Sequence, residues 1–484
     1  DGPFTETSQV RAYAQATCSG QTECDLTTMQ WDSQTVDFVS LFSVTGAGFA
    51  GSSTITHVNI SGMDLTGTGT AYMFEESTAA VNVSGTVIQN GYSMFENFRG
   101  SLVGTPTFVT DSALGRMFFN VSSESIDLSN ADLSLATTTS RMFDSCTAAV
   151  NVSGAVINKG NFMFENFRGT LVGTPTFVAD SYVNNMFQNA SSGSIDLSNA
   201  NLSLATSTHS MFLESTAAVN VSGLVIQNGH SIFKNFRGSL VGTPTFAAGS
   251  DLGSMFFNVS LGSIDLSNAD LSGATSTHSM FEESTAAVNV SGAVINKGGF
   301  MFENFRGSLV GTPTFVAGSY VNSMFQNASS ESIDLSNADL SGATSTHSMF
   351  EESTAAVNVS GAVINKGTFM FENFRGSLVG TPTFAAGSYV NNMFQNASSE
   401  SIDLSNADLS GATSTHSMFK ESTAAVNVSG AVIKDGNRMF KNFRGSLVGT
   451  PTFAAGGNLG YMFMNASQAE VDVRFWPFEP TTGV

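Results

Sequence analysis

Apolar positions along this chain follow no long helical or alternating rhythm; they return in a fixed order at a fixed period. A Met-Phe pair recurs at Met73, Met94, Met117 and Met142, and these steps of 21, 23 and 25 residues close a 69-residue unit. The string TAAVNVSG begins at Thr78, Thr147, Thr216, Thr285, Thr354 and Thr423 with the same period, and the Met-Phe pair continues, through one Ile variant at Ile232, to Met462. Eight to eleven residues after each pair comes a short alternation, Val81-x-Val83, then Leu102-x-Gly104, then Ile126-x-Leu128, which predicts one half-buried strand per coil. No coil carries ten residues of helical periodicity, so the return path is predicted as turns and short 3₁₀ pieces.

A strand that recurs at this spacing can pair only with its copy in the next coil. The fold class predicted is therefore a repeat solenoid, mainly β, with a continuous parallel β-sheet and about 18–20 coils of 21–25 residues. At roughly 4.8 Å per coil this is a rod of about 90–95 Å. The Met-Phe pairs are expected to stack inward, with Phe98, Phe108 and their repeat mates as further apolar columns. Three regions follow: 1–37 as an N-terminal cap holding Trp31 and a disulfide between Cys18 and Cys24, 38–467 as one solenoid of triple-coil units, and 468–484 as a C-terminal cap or assembly tail. Two free thiols are the alternative for the cysteines. In the tail, Phe475, Trp476 and Phe478 predict either a folded-back lid or a head-to-tail contact with a neighbour.

The third coil of the unit, SIDLSNADLSLATTTSRMFDSC from Ser125 to Cys146, resembles the repeat of the BspA-like leucine-rich-repeat surface proteins, LDLSxFDTSxVTxMxxMFxxC. Ile126, Asp127, Leu128 and Ser129 stand at the LDLS positions, and Met142, Phe143 and Cys146 at the end of the motif; the other two coils keep only the Met-Phe pair and the strand spacing. The resemblance implies a right-handed leucine-rich-repeat-like solenoid, a secreted or cell-surface setting, and adhesion or display instead of catalysis. It places Cys146 in a buried slot, where a free interior thiol is expected, with an intermolecular disulfide as the other reading; Ser77, Ser215, Ser284, Ser353 and Ser422 stand at the equivalent positions.

Charge narrows the partners. Only 12% of residues are charged, so hydroxyls, amides or glycans must wet the surface, and the net charge of −21 disfavours nucleic acid. No run of 18 apolar residues predicts a transmembrane helix, so membrane insertion is not expected. The chain begins at Asp1, which is read as a processed form or a fragment.

N-glycosylation sequons are the first candidate chemistry. One phased set is Asn82, Asn151, Asn220, Asn289, Asn358 and Asn427; a second is Asn120, Asn189, Asn258, Asn327, Asn396 and Asn465; Asn59 and Asn201 complete them. Asn82 lies between two inward valines and is expected to point outward, accessible. The bland alternative is that Asn and Ser simply suit turns and solvated strands.

Arg99, Arg168, Arg237, Arg306, Arg375 and Arg444 recur within NFRG, and Asp127, Asp196, Asp265, Asp334 and Asp403 recur on the outward strand position. They predict either a polyvalent surface for a charged matrix polymer or, the preferred reading, arginines that satisfy neighbouring carbonyls or carboxylates. His209, His278, His347 and His416 are expected as solvated surface histidines, too far apart for a shared metal. No EF-hand, GxSxG, HExxH, P-loop or dinucleotide fingerprint is present, so no catalytic residue, metal or cofactor is expected.

Together these features predict a secreted, glycosylated, non-enzymatic structural or adhesive protein of a cell surface, extracellular matrix or fibril. Its expected partners are copies of itself, head to tail, or other matrix proteins and glycans. A leucine-rich-repeat recognition module for a protein or glycan is the alternative. Ice binding, suggested by Thr105-x-Thr107 and its copies, and calcium binding are minor ones.

Overall fold

The computed structural model of the chain describes residues 3–31, 36–44, 48, 52–260 and 262–467. Phe475, Trp476 and Phe478 therefore lie outside the described residues. The chain divides into two compact units, 1–244 and 245–484, each a parallel β-solenoid. The described residues make about 17 turns with almost no helix, slightly fewer than the 18–20 expected.

In the first unit, α1 (Thr7–Cys18) precedes β1 (Glu23–Asp25). The helix starts in a capping box, with the Glu6 and Gln9 side chains each bonded to the other's backbone, and it buries Val10, Ala14 and Cys18 along one face. Cys18 is disulfide-bonded to Cys24, an inward residue of β1, so the helix is tied to the first strand of the sheet. That strand pairs in parallel with β2 (His57–Asn59), β2 with β3 (Ala80–Asn82), and β3 with a strand at Leu102–Val103. The register stacks Cys24, Val58, Val81 and Leu102 on one another.

Each later coil adds a second strand that the sequence pattern had not predicted. Between β3 and Leu102–Val103 lies β4 (Val87–Asn90); the latter pair is β5, and β6 (Thr107–Ala113) follows and pairs with β4. The next three coils run β7 (Ser125–Asp127), β8 (Asp132–Leu133), β9 (Ala149–Asn151), β10 (Val156–Lys159), β11 (Leu171–Val172) and β12 (Thr176–Tyr182). From β3 onward, odd strands form one column and even strands another.

The sheet is not continuous. In both columns the hydrogen-bonded ladder falls into short sheets, most of three strands: β7-β9-β11 in the first column and β8-β10-β12 in the second. In the first column the break follows each LVG coil. Gly104 has φ 80 and lies so close to Ser84 that a Cβ would sit 1.9 Å from its Oγ, and Pro106, two residues on, offers no N–H. The coil is drawn onto its predecessor and turns away early from its successor. The second unit repeats the pattern with Ser263–Asp265, Ala287–Asn289 and Leu309–Val310 in one sheet and Asp270–Leu271, Val294–Lys297 and Thr314–Tyr320 in another.

The return path through Met-Phe is a run of turns, and the only 3₁₀ segment among the described residues is Ser52–Thr54. The N–H groups of Met73, Glu75 and Ser77 bond back three residues, while those of Phe74 and Glu76 bond across to Met94 and Glu96 of the next coil. This alternation puts every fourth residue in the left-handed region, as at Tyr72 and Glu76, Ser93 and Asn97, or Arg116 and Asn120.

Met and Phe both point inward and are buried, up to the last pair, where Phe463 is half-buried. In the first unit the rings of Phe74, Phe95, Phe118, Phe143, Phe164, Phe187, Phe212 and Phe233 stack with centroids 4.9–5.3 Å apart and planes within 12°. Phe98 and Phe167 meet this column edge-on. In the second unit the column from Phe256 to Phe463 keeps the same spacing. Such offset stacks add about 0.5–1.5 kcal/mol per pair beyond area burial.

Cys146 is a buried free thiol, and burial pushes its pKa up to about 12. Ser215, at the equivalent position, donates to the Ala190 carbonyl at 2.9 Å. We therefore expect Cys146→Ser to change stability by less than about 1 kcal/mol, and native Cys146 to resist alkylation until the chain is unfolded. Phe164→Ala, which removes a ring from between Phe143 and Phe187, should cost about 3–5 kcal/mol in chemical denaturation.

Candidate functional site

No single cleft gathers the candidate residues; the coils distribute them into columns. On the outward face of the first strand column, Asp127, Asn151 and Val172 stand in register, one per coil. The order Asp, Asn, Val recurs at Asp265, Asn289 and Val310. The Asn side chain is half-buried, not freely accessible as the alternation had suggested, because it is bonded on both sides. Asn151 Oδ1 accepts from Ser153 N–H at 3.1 Å and from Ser153 Oγ at 2.8 Å, and Asn151 Nδ2 donates to Asp127 Oδ1 at 3.0 Å. Asn289, Asn358 and Asn427 donate in the same way to Asp265, Asp334 and Asp403 at 3.1 Å. The carboxylate of Asp127 accepts first from the Ser129 N–H, which holds its pKa below the usual value against the opposing effect of burial.

The second sequon set is exposed. Asn120, Asn189, Asn258, Asn327, Asn396 and Asn465 all sit in left-handed turn positions with φ 51 to 55. Asn120 Nδ2 donates to Asn97 Oδ1 of the preceding coil at 2.8 Å. Asn tolerates this backbone region better than other side chains, so both phased sets have a structural reason to carry Asn. Asn59 is half-buried at the end of β2 and accepts from Ser61 N–H, and the exposed Asn201 does the same from Ser203 N–H.

The arginines overturn the reading preferred from sequence. Arg99, Arg168, Arg237, Arg306, Arg375 and Arg444 are exposed, and none of their guanidinium groups bonds a carbonyl or carboxylate among the described residues. Their turn position directs the side chain away from the coil, while the backbone N–H is taken by the preceding one, as from Arg99 to Ser77 at 2.9 Å. By contrast, Arg116 pairs with Glu96 and Arg141 with Glu165, both at 2.9 Å.

His209, His278 and His347 are exposed but not isolated. His209 stacks on His230 at 5.4 Å, and His278 and His347 meet Phe300 and Phe369 edge-on. Among the described residues no group of three or more His, Cys, Asp or Glu is placed to hold a metal ion, and no helix is long and apolar enough to cross a membrane.

A concavity of about 340 Å³ lies on the four-stranded sheet of the first unit, lined by Glu23, Asp25, His57, Asn59, Asn82 and Val103 among others. Here the outward residues depart from the Asp-Asn-Val order. Pattern reading had passed over this site, although the unmatched Glu23 and His57 were its visible signal.

Residues 177–224, 314–362 and 370–454 match a family described as "Mycoplasma protein of unknown function, DUF285". These segments are well under half of the chain. No curated protein and no solved structure matches.

Glutamates on neighbouring turns provide a pH test of the stacking. Burial, and then the charge of Glu351, raise the Glu372 pKa above its ordinary value even though Gln395 donates to it at 2.9 Å. A carboxyl raised in the folded state favours folding when protonated and costs stability as the pH rises through its folded pKa. Glu372→Gln should therefore melt slightly higher than the parent near about pH 7, with the difference vanishing near about pH 4.

Proposed function

We propose that this protein is a secreted, non-enzymatic solenoid that serves as a structural or adhesive component of a cell surface, matrix or fibril. The observation that carries the reading is the monotony of its surface. The outward residues of the strand columns and the turn columns recur almost unchanged every 69 residues, so they offer many equivalent weak contacts and no single specific one. A disulfide between Cys18 and Cys24 fits an oxidising compartment. The third-coil motif supports a BspA-like surface role.

Glycosylation belongs to the same proposal. The exposed set from Asn120 to Asn465 is the better acceptor, since its amides lie on turns. The half-buried Asn82 set can also carry a glycan: substitution at Nδ2 leaves one hydrogen for the ladder bond to Asp. Self-association through 468–484, with Phe475, Trp476 and Phe478 as the contact, is the assembly proposed for filaments.

One observation favours a second reading, a recognition module for a protein or glycan. The concavity on the N-terminal sheet, with Glu23, Asp25 and His57, is where the repeat stops being uniform.

Negative-stain imaging of native material separates the two. We expect filaments that are lost on deleting 474–484; separate particles, indifferent to that deletion, would favour recognition. Intact mass should fall on enzymatic deglycosylation, and an unchanged mass would remove the glycan from the proposal.

A further inference from the structure

The unpaired arginines belong to a surface column that runs along the coils of each unit, from Thr78 onward. Backbone bonds place the residues of this column in register: Arg99 N–H to Ser77 O, Ser122 N–H to Phe98 O, Thr147 N–H to Val121 O, and Arg168 N–H to Cys146 O, all 2.9–3.0 Å. The order down the column is Thr, Arg, Ser, repeated, and every member is exposed. Within the first unit the cations are Arg99, Arg168 and Arg237; within the second they are Arg306, Arg375 and Arg444. The column contains no carboxylate. Acidic residues outnumber basic ones 39 to 18 over the chain, so a cation that needed only a counter-charge could have been given one, as Arg116 and Arg141 were.

We propose that this guanidinium-hydroxyl column of each unit binds a linear polyanionic polysaccharide laid along the stacking direction. A guanidinium presents a planar fork that matches a sulfate or carboxylate with two parallel hydrogen bonds. The Thr and Ser hydroxyls on the two coils between arginines donate to, or accept from, the sugar hydroxyls. Coils about 4.8 Å apart place successive guanidinium groups about 14 Å apart, so the polymer is held by repeated weak contacts whose effect multiplies along its length.

Two other occupants fit less well. The Thr-Arg-Ser column carries no aromatic side chain on which a base could stack, so nucleic acid would meet only its charge, whereas the hydroxyls between the arginines also suit a sugar. Of the carboxylates that recur at the same period, Asp127 and Asp265 are already engaged by Ser N–H and Asn Nδ2, and self-association through the others is an outcome that the test below reads. The inference rests on the adhesive reading for its biological setting and deepens it by naming the partner chemistry; the binding test stands apart from filament imaging and deglycosylation.

The test uses the intact chain and size-defined heparin fragments, with polygalacturonate as the carboxylate-only polymer and double-stranded DNA of similar charge. We expect heparin binding that weakens steeply with salt. The variant with all six arginines changed to Gln should lose affinity by on the order of a hundredfold and flatten the salt dependence, while the six-fold Arg→Lys variant should fall between, because charge is kept and the fork is lost. Single changes Arg168→Gln and Arg375→Gln, which disturb no internal bond, should each weaken binding about two- to five-fold and secure the result if the six-fold variant fails to fold. Polygalacturonate bound as tightly as heparin would support recognition of carboxylate, and heparin alone recognition of sulfate. No binding to either polymer, unchanged binding after Arg→Gln, or DNA bound at least as tightly would overturn the proposal. So would a concentration-dependent self-association in sedimentation that Arg→Gln abolishes.

Discussion

Each coil can satisfy its backbone only through the next one. A turn such as Tyr72–Ser77 closes half of its N–H groups on itself and sends the other half across to Met94 and Glu96. No coil is therefore stable by itself, and the register between coils is fixed residue by residue. Everything else in the molecule inherits that register. Identical side chains must lie over one another, so inward positions become columns of Phe and Met, and outward positions become columns of amide, hydroxyl or charge.

The same constraint explains why the chain is rich in Asn. Every fourth turn residue is held in the left-handed region, where β-branched side chains are strained and Asn is tolerated. On the strands, Asn closes an Asx turn with the Ser two residues on and reaches back to the Asp of the preceding coil. A sequon pattern follows from these two needs before any glycan is considered. Sequon counts alone therefore say little about modification in such a repeat; exposure separates the two sets and gives the Asn120 column the stronger claim.

Much of the fold was legible because stacking writes itself into the sequence as periodicity. The 69-residue unit, its three unequal coils, the parallel pairing and the inward Met-Phe columns all follow from spacing. The second strand was missed because it lacks a clean alternation; its trace was the echo of Asp127-Leu128-Ser129 in Asp132-Leu133-Ser134, five residues on. The helix α1 lies outside the repeat, and its trace was the Glu6 and Gln9 pair ahead of Val10, Ala14 and Cys18. The broken sheet was not legible, because it depends on how closely Gly104 approaches Ser84, a distance that spacing does not encode. The arginines were misread for a related reason. Pattern gives their period but not whether an acceptor lies within reach of the turn that carries them.

Chemistry in such a molecule takes two forms. A residue that obeys the period acts as a member of a column, at a fixed interval and with identical surroundings, and suits a polymer or a lattice. A residue that breaks the period is the only kind that can build a unique site. His230, stacked on His209 where the equivalent coils place Phe300 and Phe369 against His278 and His347, is one such break. Glu23 and His57 on the N-terminal sheet are another, and they line a concavity. The breaks are few and lie at one end or singly, whereas the exposed arginine-hydroxyl column runs through the coils of each unit. The physical weight of the surface therefore lies with repeated contact, and the N-terminal concavity is a place where the described fold departs from it.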